Sequence, residues 1–270
     1  MNWKRLMENT NWLRQASEPL FPDLLWSRPE NKRSRGKLLI IGGNLHGFAA
    51  PVAAYNAATA AGIGTARVIL PEVLKKALGT SFAEAEFAPN TPSGSLARKS
   101  LDSLLDTAKW ADGVLLAGDF GRNSETAILL SSLLEKYEGQ VTVAQDGLDY
   151  FLSSNSRLLN RPNTLAVINM GKLQKLAKNN NPGVPIRHGD SLYELVQKLS
   201  DWSQTSSGSF ITRHENQLVA ATDGKVSTTP WTEDIKWQIE LAAYASVWLL
   251  QNPQKPFEDL TTAAFEYISR

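Results

Sequence analysis

The 270-residue sequence predicts an α/β fold in which a mostly parallel central sheet carries helices on both faces, with antiparallel edge strands near the carboxyl terminus. Three observations lead there. Short apolar runs at residues 38–41, 114–117, 141–144 and 165–168 have the length and continuity of strands buried on both faces. Helical patterns separate these runs. The order of strand, glycine turn and helix also occurs twice, at residues 37–62 and 111–137, and two runs after residue 209 are close enough to pair as a hairpin.

Taken in order, residues 1–36 read as a helical lead-in with Trp3, Leu6, Met7, Trp12 and Leu13, broken by Pro19, Pro22 and Pro29. Residues 37–270 read as one domain, with neither an internal repeat nor a shift in composition. The first strand ends in Gly42-Gly43, a small-residue helix follows over 51–62, and Gly62 and Gly64 close it before a second strand at 66–70. A short helix is expected over 71–78, a surface loop over 82–94 and a helix over 96–110. Asp119-Phe120-Gly121-Arg122 follows the strand at 114–117 and leads into a helix over 124–137. Asp146-Gly147 turns the chain after 141–144, and helices are expected at 148–152, 170–178 and from Asp190-Ser191 through Leu199. Strands at 210–212 and 217–221 precede the last helices, 232–251 and 257–268.

Composition narrows the function. With 28 basic and 27 acidic residues the net charge is +1, so no long-range field favours nucleic acid or a membrane surface. The absence of cysteine removes disulfides, thiolate metal sites and cysteine nucleophiles. No window approaches the roughly 20 apolar residues of a membrane span, and no signal-length apolar core follows the amino terminus, which points to the cytoplasm. His46, His188 and His214 are too scattered to form an evident metal set.

Glycine loops at the carboxyl ends of parallel strands are where such sheets bind ligands. Gly42-Gly43 lacks the spacing of a dinucleotide fingerprint, and Gly47-Phe48 is not a P-loop. Asp119-Phe120-Gly121 stands without the other protein-kinase signatures. Position past a strand end makes Asn44, Asp119, Arg122, Asp146 and Asn169 the candidate substrate contacts. The basic stretch 28–37 reads as a solvated lead-in to the first strand, with Lys32 or Arg33 as a candidate phosphate ligand in the sharper alternative.

The lead-in ENKRSRGKLLIIGGN (residues 30–44), the helix PVAAYNAATAAGIG, the turn ADGVLLAGDFGR (111–122) and the turn AQDGLDYF (144–151) together resemble the ribokinase-like superfamily. Within it the resemblance is to the nucleotide-dependent NAD(P)H-hydrate dehydratases, over about residues 28–265. It implies use of ADP or ATP with Mg²⁺ to phosphorylate the misplaced hydroxyl of hydrated NADH or NADPH, so that phosphate can leave. It leaves homo-oligomer formation open.

Several positions depart from the family pattern. Trp237-Gln238-Ile239-Glu240 stands where the family has its G-x-G-D anion cage and base, which makes Glu240, or Asp234, the candidate relocated base. Residues 167–172 read V-I-N-M-G-K in place of T-P-H-x-G-E, and Arg213-His214 replaces K-G, leaving Arg213 as the candidate nucleotide ligand. Thr232 is a good helix cap with Glu233 and Asp234 behind it, so the helix is expected to begin there and to consume the N–H groups of residues 237–240. The resemblance therefore implies a dehydratase-like protein with impaired or altered activity. The alternative is a non-catalytic member that binds a nucleotide or assembles with a partner.

Overall fold

The computed structural model describes residues 11–79, 81–152, 158–180, 185–231 and 236–270. Its strands are β1 (Trp12–Arg14), β2 (Lys37–Gly42), β3 (Thr65–Pro71), β4 (Ala85–Ala88), β5 (Gly113–Gly118), β6 (Gln140–Ala144), β7 (Thr164–Val167), β8 (Ser209–His214), β9 (Gln217–Thr222) and β10 (Lys225–Pro230). Its helices are α1 (Pro22–Trp26), α2 (Ala49–Ala60), α3 (Lys75–Leu78), α4 (Leu101–Trp110), α5 (Ser124–Lys136), α6 (Met170–Asn180), α7 (Leu192–Thr205), α8 (Trp237–Gln251) and α9 (Pro256–Ile268).

All ten strands form one sheet in the order β1-β10-β9-β8-β7-β6-β5-β2-β3-β4. From β4 to β8 every pairing is parallel, while β9 is antiparallel to both β8 and β10. The expected sheet is thus present. The four-residue runs are central strands, and β2, β5, β6 and β7 are buried almost throughout because helices cover both faces. One core joins the sheet to α2, α8 and α9 through residues such as Ile40, Leu115, Ala245, Trp248 and Leu260. The other joins it to α4–α7 through Leu104, Leu129, Leu173 and Leu195.

Three expectations are corrected. Trp12–Arg14 at the end of the expected helical lead-in is a strand, paired in parallel with β10; Trp3, Leu6 and Met7 fall outside the described residues. The expected loop at 82–94 contains β4, which pairs with β3. Helix α8 opens at Trp237 rather than Thr232, and residues 232–235 lie outside the description. Elsewhere the local chemistry matches: Asn123 caps α5 with its side chain, and Ser191 and Glu194 form a reciprocal capping box on α7. No helix among the described residues is long and apolar enough to cross a membrane.

Candidate functional site

The chain runs from β2 outward to β3 and β4, then returns to lay β5 on the other side of β2. This reversal is a topological switch point, and a bulge at Ile41/Gly42 marks it in the β2–β5 register. Because β2, β5, β6, β7 and β8 are parallel neighbours, their carboxyl ends share one edge. Asn44, Asp119, Arg122, Asp146, Asn169 and Arg213 are brought to that edge. The turns 42–44, 118–122 and 146–147 lie along it together, as the sequence requires for this fold.

At the ends of β2, β5 and β6 the side chains are tied to the backbone. Asn44 donates from Nδ2 to the Asp119 carbonyl at 2.5 Å and accepts the His46 N–H at 2.7 Å. Asp119 Oδ2 accepts the Ala50 N–H at 2.7 Å, so this carboxylate sits on the first turn of α2, where the helix dipole favours negative charge. Asp146 Oδ2 accepts the Gly121 N–H at 3.2 Å, and the Tyr150 hydroxyl donates to the Gly121 carbonyl. Backbone at this edge is strained where the loops turn: Asp119 and Gln145 hold left-handed φ values of 57° and 52°. Gly42 has no room for a side chain, since a Cβ there would lie 2.5 Å from the Gly118 carbonyl oxygen.

Asp146 is the most perturbed acid of this region. Burial pushes its carboxyl pKa up, the nearby Asp119 charge adds to the rise, and the Gly121 N–H and Lys172 ammonium oppose it. Its Oδ1 is buried and has no hydrogen-bond partner among the described residues. Lys172 reaches across from α6, donating to the Gln145 carbonyl at 2.7 Å and pairing with Asp149 at 2.9 Å. The sequence marks this lysine only as a departure from an acid. Its link to the 145–151 turn depends on a tertiary approach that no local spacing announces.

The ends of β7 and β8 border a cleft of about 930 Å³, closed on one side by the start of α7 and on another by the first turn of α8. Asn169 caps α6 here, its Oδ1 accepting the Lys172 N–H at 2.9 Å. Gln238 docks its side-chain amide on the Val167 carbonyl at 3.4 Å. Arg213, His214, Trp237 and Gln238 line the cleft. His214 Nε2, 3.8 Å from Glu215 Oε1, and Trp231 Nε1 are buried with no hydrogen-bond partner among the described residues. In α8 the N–H groups of Ile239 and Glu240 are both spent on the Lys236 carbonyl, at 3.1 and 3.2 Å. Those of Trp237 and Gln238 precede them in the first turn, where no carbonyl four residues back lies within the helix. The expectation that the helix consumes all four therefore holds for Glu240 on Lys236, while the carbonyls four residues before Trp237, Gln238 and Ile239 lie outside the described residues.

Two candidates do not join the site, and a third is not described. Glu240 pairs with Arg270 at 3.2 Å, and Arg270 lies over the rings of Tyr244 and Tyr267, so the carboxylate is held at the end of α9 and does not line the cleft. Lys32 precedes β2, and its carbonyl packs against Gly64 at the start of β3. That is the amino edge of the sheet, roughly 20 Å from the carboxyl edge for strands of this length. Asp234 lies outside the described residues.

At the carboxyl edge one oxygen each of Asp119 and Asp146 is taken by a backbone N–H and Asp146 Oδ1 has no hydrogen-bond partner; no cluster of three acidic, histidine or cysteine ligands occurs among the described residues, so a Mg²⁺ held by these carboxylates would need nucleotide phosphates and water to complete its shell.

Comparison with known structures places the chain in the ribokinase-like fold. A ribokinase-like superfamily protein of Enterococcus faecalis superposes with a TM-score of 0.74 over 97% of this chain and 88% of that one, at 16% identity. The ADP/ATP-dependent NAD(P)H-hydrate dehydratase of Bacillus subtilis, co-crystallized with ATP/Mg²⁺, superposes with a TM-score of 0.61 over 93% of this chain and 87% of its own, at 13% identity. In sequence, the chain is 24% identical over 226 residues to the bifunctional NAD(P)H-hydrate repair enzyme Nnr of Thermofilum pendens, a match that takes in 82% of this chain and 41% of the relative. No family model matches the chain.

Proposed function

We propose that this chain is an NAD(P)H-hydrate dehydratase-like protein of the cytoplasm that binds ADP or ATP in the cleft at the ends of β7 and β8 and turns over hydrated NADH or NADPH poorly. The observation that carries the reading is the position of the cleft: it opens at the carboxyl edge, between the ends of two parallel strands and the amino end of α8. The helix start and Arg213 give it positive character. The likeness to the Thermofilum and Bacillus proteins supports the choice of substrate. Poor turnover follows from Glu240, whose carboxylate is engaged by Arg270 and so does not face a hydroxyl proton in the cleft. The same pairing supports the second reading, a member that binds nucleotide without catalysing.

The test is a calorimetric titration of ADP and of ATP, run beside an assay for nucleotide-dependent dehydration of hydrated NADH. Binding with little or no dehydration is expected. Absence of binding by either nucleotide defeats the proposal, and vigorous dehydration defeats its second half. Glu240→Gln is expected to leave any residual rate unchanged; a rate that vanishes in this variant makes Glu240 the base after all.

A further inference from the structure

One wall of the cleft is layered. Arg213, exposed near the end of β8, holds its guanidinium carbon 4.4 Å from the centre of the Trp231 ring. Trp231 is 6% exposed and meets Trp237 edge-on, with ring centres 6.4 Å apart and planes at 67°. Trp237 is itself 7% exposed and opens α8. The indole pair is therefore a rigid backing, fixed in the core, and the guanidinium of the cleft-lining Arg213 sits over the Trp231 ring.

That orientation selects one kind of contact. Arginine grips a phosphate through the N–H fork in the guanidinium plane, and lysine does so as a point charge. A guanidinium laid flat on an indole has one face covered and presents the other, and a weakly hydrated planar cation is a stacking surface for an aromatic heterocycle. The first turn of α8 begins at Trp237, the ring that meets Trp231 edge-on, so a ligand with its ring on Arg213 can direct an anionic group toward the helix start.

We propose that Arg213, seated over the Trp231 ring, is the stacking platform for the aromatic base of a nucleotide, so that this cleft recognises the ring rather than the phosphates through this arginine. The proposal rests on the nucleotide reading above.

The test uses the full chain and three probes: adenosine, ADP and inorganic pyrophosphate, each titrated into the wild type, Arg213→Lys and Trp231→Leu. Lysine keeps the charge and loses the plane. In Arg213→Lys, adenosine and ADP are expected to weaken about tenfold or more, the range of one lost base stack, with pyrophosphate unchanged. Thermal unfolding of Arg213→Lys is expected to match the wild type, because the side chain is exposed. Trp231→Leu, read only if it remains folded, is expected to lose the same preference for ring-bearing probes. ADP affinity unchanged in Arg213→Lys, or pyrophosphate weakened as much as ADP, overturns the platform while leaving the nucleotide reading intact. A wild type that binds none of the three probes defeats the nucleotide reading and the platform with it.

Discussion

At the ends of β2, β5 and β6, Asn44, Asp119 and Asp146 are each held by hydrogen bonds to the chain itself, whereas at the ends of β7 and β8 His214 Nε2 and Trp231 Nε1 are buried without a hydrogen bond. The first region spends most of its polar groups on its own shape, with Asp146 Oδ1 the exception. The second keeps buried polar atoms unmatched beside an open cleft, which costs stability unless a ligand or solvent supplies the bond. A site built from both therefore has a stiff end and a receptive end, and substitutions at the two ends are expected to behave differently.

The largest effect is expected at Gly42. The added methyl of Gly42→Ala would lie 2.5 Å from the Gly118 carbonyl oxygen, and that oxygen already accepts the Gly43 N–H at 3.0 Å. Backbone on both sides resists movement, so we expect a loss of about 3 kcal/mol in chemical unfolding. Unchanged stability there removes the idea that the first region is stiff. Asp119→Ala comes next: it removes the acceptor for the Ala50 N–H and leaves alanine in a left-handed conformation, for about 2 kcal/mol together.

The pH dependence separates the regions further. Burial raises the Asp146 carboxyl pKa, so the folded state holds its proton to higher pH than the unfolded chain does. Its contribution is fully present below the ordinary carboxylate pKa and is lost as pH rises through the raised value. Asp146→Asn is expected to flatten that part of a stability profile measured from acid to neutral pH; an unaltered slope would mean that Asp146 titrates normally. The smallest effect is expected at the receptive end. His214→Phe replaces a ring whose Nε2 has no hydrogen bond, its contact with the exposed Glu215 carboxylate being 3.8 Å, with an apolar one of similar shape, so stability should change by less than about 1 kcal/mol in either direction. A loss as large as that of Asp119→Ala would show that His214 is structurally engaged, and the contrast between the ends would fail.

The central strands were legible because burial on both faces leaves an unbroken apolar run, as at residues 38–41 and 114–117. β4 was not, because Ala85-Glu86-Phe87-Ala88 lies at an edge and carries little of that signal. The turns at Asn44, Asp119 and Asp146 could be placed from strand position alone. Glu240 shows where such placement stops: its helix was readable, but Arg270, thirty positions away, decides which way its carboxylate is used. The start of α8 misled for a related reason. Thr232 with two acids behind it is a strong local cap signal, yet α8 begins at Trp237, whose ring packs against Trp231.

The two outermost strands are also among the shortest in the sheet, β1 with three residues and β4 with four. An edge strand offers its unpaired amides and carbonyls to any passing chain, and shortness is one of the ways a protein blunts that offer. Glu86 adds a charge in the middle of β4, paired with Arg67 of the adjoining strand at 3.2 Å. Among the described residues, each margin therefore offers only a short stretch of free backbone to a passing strand.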